Sequence, residues 1–166
     1  EDLCKQGSFF SNKIWNAMRL IKGWEVSNAE QPEYAEKAIL WFESRLNQAI
    51  LELNDSFDKY RMSEALMTVY KLIWDDFCSW YLEMVKPQFG EAIDAKTFEQ
   101  TLVYFEELLK LAHPFMPFIT EEIWHLLRDR SEDETIMFES WPQSGKIDED
   151  VLADFDFMEK SVSGIR

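Results

Sequence analysis

Asn12, Asn16 and Arg19 recur at i, i+4 and i+7, a spacing that sets three nitrogen-rich side chains along one strip of a helix. An Asn amide can pair with a base edge; a guanidinium can do so bidentately, stack on a base, or hold phosphate oxygens. Lys13 and Lys5 add ammonium groups nearby, and Trp15 adds a ring on which an unpaired base can stack. The strip therefore has the chemistry of a nucleic-acid contact. A plainer reading stands beside it, in which Asn16 and Arg19 only tie this helix to the next.

Other constellations carry less. Glu122 and His125 form a Glu-x-x-His step of the kind that di-iron helical bundles use twice. The second copy needs a Glu three residues before His113, where Lys110 stands, so the ligand count fails and no metal site is expected. Gly-rich phosphate loops, Ser nucleophile elbows and His-Glu-x-x-His helices are missing from the sequence, which leaves no expected catalytic residue. Adjacent acids such as Asp75-Asp76 and Glu106-Glu107 point to different faces and read as solvated or paired with Lys. In the stretch 74–81, Phe77, Trp80 and Tyr81 fall in an inward stripe. Trp74 and Trp15 fall less cleanly, and Trp15 beside the donor strip is the better stacking ring.

Helical periodicity must position these groups. Residues 8–24 turn Phe10, Ile14, Ala17, Met18 and Ile21 inward. A second helix from Tyr34 to Phe57 repeats Ala38, Phe42, Leu46, Ile50 and Leu53; a third draws its stripe through Met62, Leu66, Val69, Ile73 and Phe77 until Lys86-Pro87 stops it. On that stripe Leu66 is a core residue. Asp94 to Ala112 forms the next helix, and another opens near Pro117 and Thr120 with Ile119, Ile123, Leu126 and Leu127 inward. The short connections favour antiparallel neighbours. The expected fold is all-α, an antiparallel helical bundle of about five helices over residues 1–130. Residues 131–166 follow as a short, partly irregular C-terminal extension, in which Thr135 to Phe138 is the single weak strand candidate. A last helix from about Asp148 to Val162 leads toward a missing domain.

The 166 residues are 46% hydrophobic and 15% aromatic with only 5 Gly and 5 Pro, which excludes disordered and collagen-like chains. Apolar runs fall short of the roughly 18 residues a membrane helix requires. Two cysteines, Cys4 and Cys78, cannot make a disulfide framework, and a reducing, cytoplasmic setting is the simpler expectation. A start at Glu1 and an end at Arg166 suggest a piece of a longer protein. The net charge of −15 argues against indiscriminate nucleic-acid binding. Charge is uneven, however: residues 1–22 hold Lys5, Lys13, Arg19 and Lys22 against Glu1 and Asp2, a net of +2, so the remainder carries −17. A basic edge on an acidic body can still meet a phosphate chain locally.

Three ordered phrases add a resemblance. Gly7-Ser8-Phe9-Phe10-Ser11-Asn12-Lys13-Ile14-Trp15-Asn16-Ala17 resembles the opening of the anticodon-binding helical domain of the valyl-tRNA synthetase family. There a Gly-Arg-Asn-Phe-x-Asn-Lys-Leu-Trp-Asn-Ala phrase is usual. Trp74 to Glu83 with Lys86-Pro87 is similar to the family's second phrase, and His113 to Trp124 to its third, followed by Glu139-Ser140-Trp141-Pro142. The His-Pro-Phe-Met-Pro-Phe part is shared with isoleucyl and leucyl relatives, whose equivalent domain is an alternative.

The resemblance implies a parent enzyme that joins valine to tRNA(Val) with ATP and magnesium, and a bundle that grips the anticodon stem-loop beside the parent's catalytic and C-terminal domains. The parent's adenylate motifs, HIGH and KMSKS, are absent from these residues, so this stretch alone is expected neither to aminoacylate nor to hold a cofactor. One departure stands out: the family's Arg and Asn after Gly are Ser8 and Phe9 here. Outside the family, an acidic helical protein-interaction module and a metal-dependent bundle oxidase are the competing readings.

Overall fold

Residues whose apolar side chains recur every three or four positions do coil, and their stripes meet in one core. The computed structural model describes residues 2–163. Its main elements are α1 (Asp2–Lys22), α2 (Glu33–Asp58), α3 (Met62–Lys71), a π-helical segment (Leu72–Tyr81), α4 (Leu82–Val85), α5 (Ala95–Ala112), α6 (Pro117–Leu127) and α7 (Glu149–Ser163). The backbone stays right-handed helical at both junctions, Lys71–Leu72 and Tyr81–Leu82, so α3, the π segment and α4 form one rod.

Ring contacts fix the directions. Phe42 of α2 meets Phe77 at 5.3 Å, Tyr81 at 4.9 Å and Tyr104 at 5.1 Å, while Phe77 stacks on Phe105 of α5 at 5.5 Å. Phe10 lies 5.0 Å from Tyr70, and Lys13 sits over Trp74, so α1 and the rod advance in the same direction with α2 folded back between them in sequence. The expected all-α bundle is what forms. Stacked and tilted aromatic pairs at these distances add to plain burial.

The rod departs from a simple stripe. Its fully buried positions include Ala65, Val69, Leu72, Ile73, Phe77 and Tyr81, whereas Leu66 is 42% exposed and Met62 also faces outward. The expectation of Leu66 as core is therefore wrong: the smaller Ala65 fills the inward position, and Leu66 lies about 100° further round. Leu126 of α6 is likewise exposed, although Ile123 and Leu127 are buried. Along the π segment hydrogen bonds reach five residues: the Leu82 N–H donates to the Phe77 carbonyl, and the Ser79 hydroxyl donates to the Trp74 carbonyl at 2.8 Å.

Two features outside the helices hold the bundle's ends. Strands β1 (Val26–Ser27) and β2 (Ile93–Asp94) pair in parallel, Val26 opposite Ile93, and tie the α1–α2 connection to the start of α5. Buried Asp94 caps α5 by accepting from the Thr97 N–H at 2.8 Å, while Gln31 donates to the Thr97 hydroxyl at 2.9 Å. At the other side the chain after α6 runs back along α2. Thr135 to Phe138, the weak strand candidate, is a turn of 3₁₀ helix at Ile136–Phe138 instead, anchored where the Thr135 hydroxyl donates to Glu121 at 2.8 Å.

Asn47 then clasps the returning chain. Its amide nitrogen donates to the Lys146 carbonyl, and its oxygen accepts from the Gly145 N–H, both at 2.9 Å. Phe155 of α7 stacks on Trp41 at 3.8 Å, and Arg45 pairs with Asp156 at 3.0 Å. Residues 131–163 thus lie along the bundle. Among the described residues, no helix is long and apolar enough to cross a membrane.

Candidate nucleic-acid interface

One face of α1 is apolar at every turn, and Phe10, Ile14, Ala17, Met18 and Ile21 are buried by the rod and α6. Arg19 and Lys22 in its last turn complement the negative end of the helix dipole. Gly23 closes it, its N–H donating to the carbonyls of Arg19 at 3.1 Å and Leu20 at 3.2 Å. Since the inward face is taken, the opposite face must point to solvent.

That outward face carries Lys5, Asn12, Asn16 and Arg19, all exposed. From Lys5 to Arg19 the strip is about 21 Å long at the helical rise of 1.5 Å per residue. Arg19 and Lys22 make no ion pair with any described residue. Cations elsewhere are mostly spent: Lys37 pairs with Glu33 at 2.7 Å, Arg61 with Glu64 at 3.3 Å, Arg128 with Glu99 at 2.6 Å and Glu106 at 2.7 Å, and Arg130 with Glu106. Among the described residues, Arg19 and Lys22 thus keep their charge outward on α1, as do Lys71, Lys146 and Lys160 singly elsewhere.

Two sequence candidates sit differently from the strip. Trp15 is half-buried and packs against the core. Lys13 is half-buried too, its ammonium 5.1 Å from the centre of the Trp74 ring; that ring stacks on Tyr70 at 5.5 Å with an interplanar angle of 14°. Burial pushes the Cys78 thiol up to about 12, with the Lys13 charge opposing the rise, so Cys78 is a packing residue and not a nucleophile.

The sequence marks Phe9 only as a departure from the family phrase and not as a contact residue. Phe9 is 62% exposed and lies with Lys13, Asn16 and Leu20 on the row beside the strip. Its place three residues before Asn12 was the signal available. An outward phenyl there is a more accessible stacking surface than Trp15. The histidines are occupied by neighbours: His113 shares a 2.7 Å hydrogen bond with the Thr120 hydroxyl, and His125 meets Glu121 at 3.1 Å rather than Glu122. Among the described residues, no group of three His, Cys, Asp or Glu side chains is arranged to hold a metal ion.

A family described as the anticodon-binding domain of tRNA ligase matches residues 40–166. The chain belongs to that family. Valine–tRNA ligase of Christiangramia forsetii is 52% identical over 100% of this chain, that of Phocaeicola vulgatus 54% over 99%, and that of Porphyromonas gingivalis 53% over 100%. The chain spans 19% of the length of these curated relatives. The anticodon-binding family match opens within α2, so the α1 strip lies before it, while the relatives align across both.

Proposed function

We propose that this chain recognises the anticodon stem-loop of tRNA(Val) as part of a cytoplasmic valine–tRNA ligase, whose remaining domains attach valine to the tRNA using ATP and magnesium. The observation that carries the reading is the outward strip Asn12, Asn16 and Arg19, which ends in a guanidinium without an ion pair among the described residues, on a segment of net positive charge in an acidic chain. Unpaired anticodon bases can be splayed onto such a rigid helix, their edges read by amide and guanidinium donors and their faces stacked on rings. Phe9 supplies the exposed ring, and Lys5 and Lys22 supply phosphate contacts. The other helices fix the strip in space.

The test is charging of tRNA(Val) by the intact ligase. Substituting anticodon bases lowers the charging efficiency if the reading holds; an unchanged rate sinks it. Salt separates RNA binding from protein interaction, because three phosphate contacts on a single strand give log affinity against log salt a slope of about −2.

A further inference from the structure

Lys13 leaves α1 about 100° round from Asn12, toward the buried side of the helix rather than along the outward strip. Its ammonium lies over Trp74 at 5.1 Å, and its charge reaches the buried Cys78 thiol. Trp74 is backed by Tyr70, and Tyr70 in turn meets Phe10 of α1 at 5.0 Å. The helix therefore grips one aromatic pair twice, at Phe10 and at Lys13. The buried side chains of α1 hold it against the core, and a cation kept over a ring face adds a contact at the edge of that face that is sensitive to the helix's orientation.

We infer that Lys13 is a positioning residue: through the face of Trp74 it clamps α1 to the π-helical segment and sets the angle at which Asn12, Asn16 and Arg19 meet RNA, without touching RNA itself. The inference rests on the anticodon-binding reading and concerns the same strip. It separates the two lysines on this part of α1 that a sequence cannot: Lys5 is exposed, Lys13 is half-buried against a ring. A small rotation of α1 would displace all three strip residues at once, so the clamp acts on affinity through geometry.

The experiment uses the intact ligase with Lys13→Met, which keeps the aliphatic stem, Lys13→Arg, Trp74→Leu, and the Met/Leu double variant. Dissociation constants for tRNA(Val) are measured across a salt series, alongside charging kcat and melting temperature. Lys13→Met weakens tRNA binding about two- to five-fold, the range a cation–π contact of this exposure is worth, with kcat and the salt slope unchanged. Trp74→Leu gives a similar loss, the double variant loses no more than either single one, and Lys13→Arg restores affinity.

A salt slope shallower by about 0.7 in Lys13→Met places the ammonium on a phosphate and overturns the clamp. So do additive losses, a failure of Arg to rescue, or unchanged affinity in Lys13→Met. Should Trp74→Leu melt early, the Met and Arg variants still decide between these outcomes. Wild-type charging indifferent to anticodon substitution overturns the functional reading and the positioning role with it; a normal anticodon response with additive losses overturns the clamp alone.

Discussion

Arg19 on α1 and Arg130 after α6 are the same side chain put to opposite uses. Arg130 is 10% exposed, bonded to Glu106 and laid over the Trp124 ring at 3.8 Å, with Arg128 sharing the same carboxylate at 2.7 Å. Arg19 projects into solvent without an ion pair among the described residues. In the first region charge is consumed inside the fold; in the second it stays outward. For a chain of net charge −15, the number of cations says little about where a polyanion can settle, and their pairing says much more.

The largest effect is expected at the buried arginine. Glu106→Ala strips Arg130 of its carboxylate in a site 10% and 13% exposed, and costs about 3 to 5 kcal/mol in urea unfolding. Tolerance of that substitution would show that the arginines there are held by Trp124 and Glu99 alone. Arg19→Ala does the reverse: stability changes by less than about 0.5 kcal/mol, while tRNA affinity falls by about 1 to 3 kcal/mol. A collapsed melting transition with normal binding by the folded fraction would make Arg19 a brace instead.

Asp76 is a partly buried acid beside a partly buried cation, Arg45. Burial raises its carboxyl from the usual 3.8 to about 6, opposed by Arg45 and reinforced by Asp75, Glu159 and Asp156. The folded state thus holds this proton more tightly than the unfolded chain does. Its stabilising effect is full below the ordinary carboxyl range and is lost as pH rises toward about 6. Acidifying from pH 7 to 5 therefore adds about 1.4 kcal/mol in all from this group, most of it below pH 6, and Asp76→Asn flattens that dependence in a pH series of melts. Smallest is Leu66→Ala, under about 1 kcal/mol at an exposed position, against about 2 to 5 kcal/mol for fully buried Leu53→Ala.

Much of this was legible. The inward residues of α1, the long apolar row of α2 and the exposed strip at Asn12, Asn16 and Arg19 follow from a period of 3.6, because burial on one side forces exposure on the other. The rod was misread at Leu66 and Met62 because a plain α-helical stripe was drawn through a stretch whose hydrogen bonds lengthen halfway, and nothing in the residue types announces that change. Two-residue strands are too short to show alternation. Asn47 is a buried polar residue beside the apolar row of α2. Its function depends on Gly145, 98 residues later in the chain, and no local pattern reports such a partner. Lys13 and Trp74 failed to pair in the sequence for the same reason.

The π-helical stretch has a consequence for how the rod tolerates change in length. Counting onward from Ala65 and Val69 in α-helical steps leads to Asp76 and Trp80, yet the residues found inside are Phe77, Tyr81 and Val85. The wider turns take up a surplus residue, so both halves of the rod keep their oily sides aimed at α2 and α5. Such slack makes Leu72–Tyr81 the one stretch of the rod where losing a single outward residue, such as Ser79, lets the coil tighten to ordinary α geometry without spinning its far end out of the core. In α5, which has no such reserve, the same deletion would swing Tyr104, Phe105 and Leu108 away from their partners.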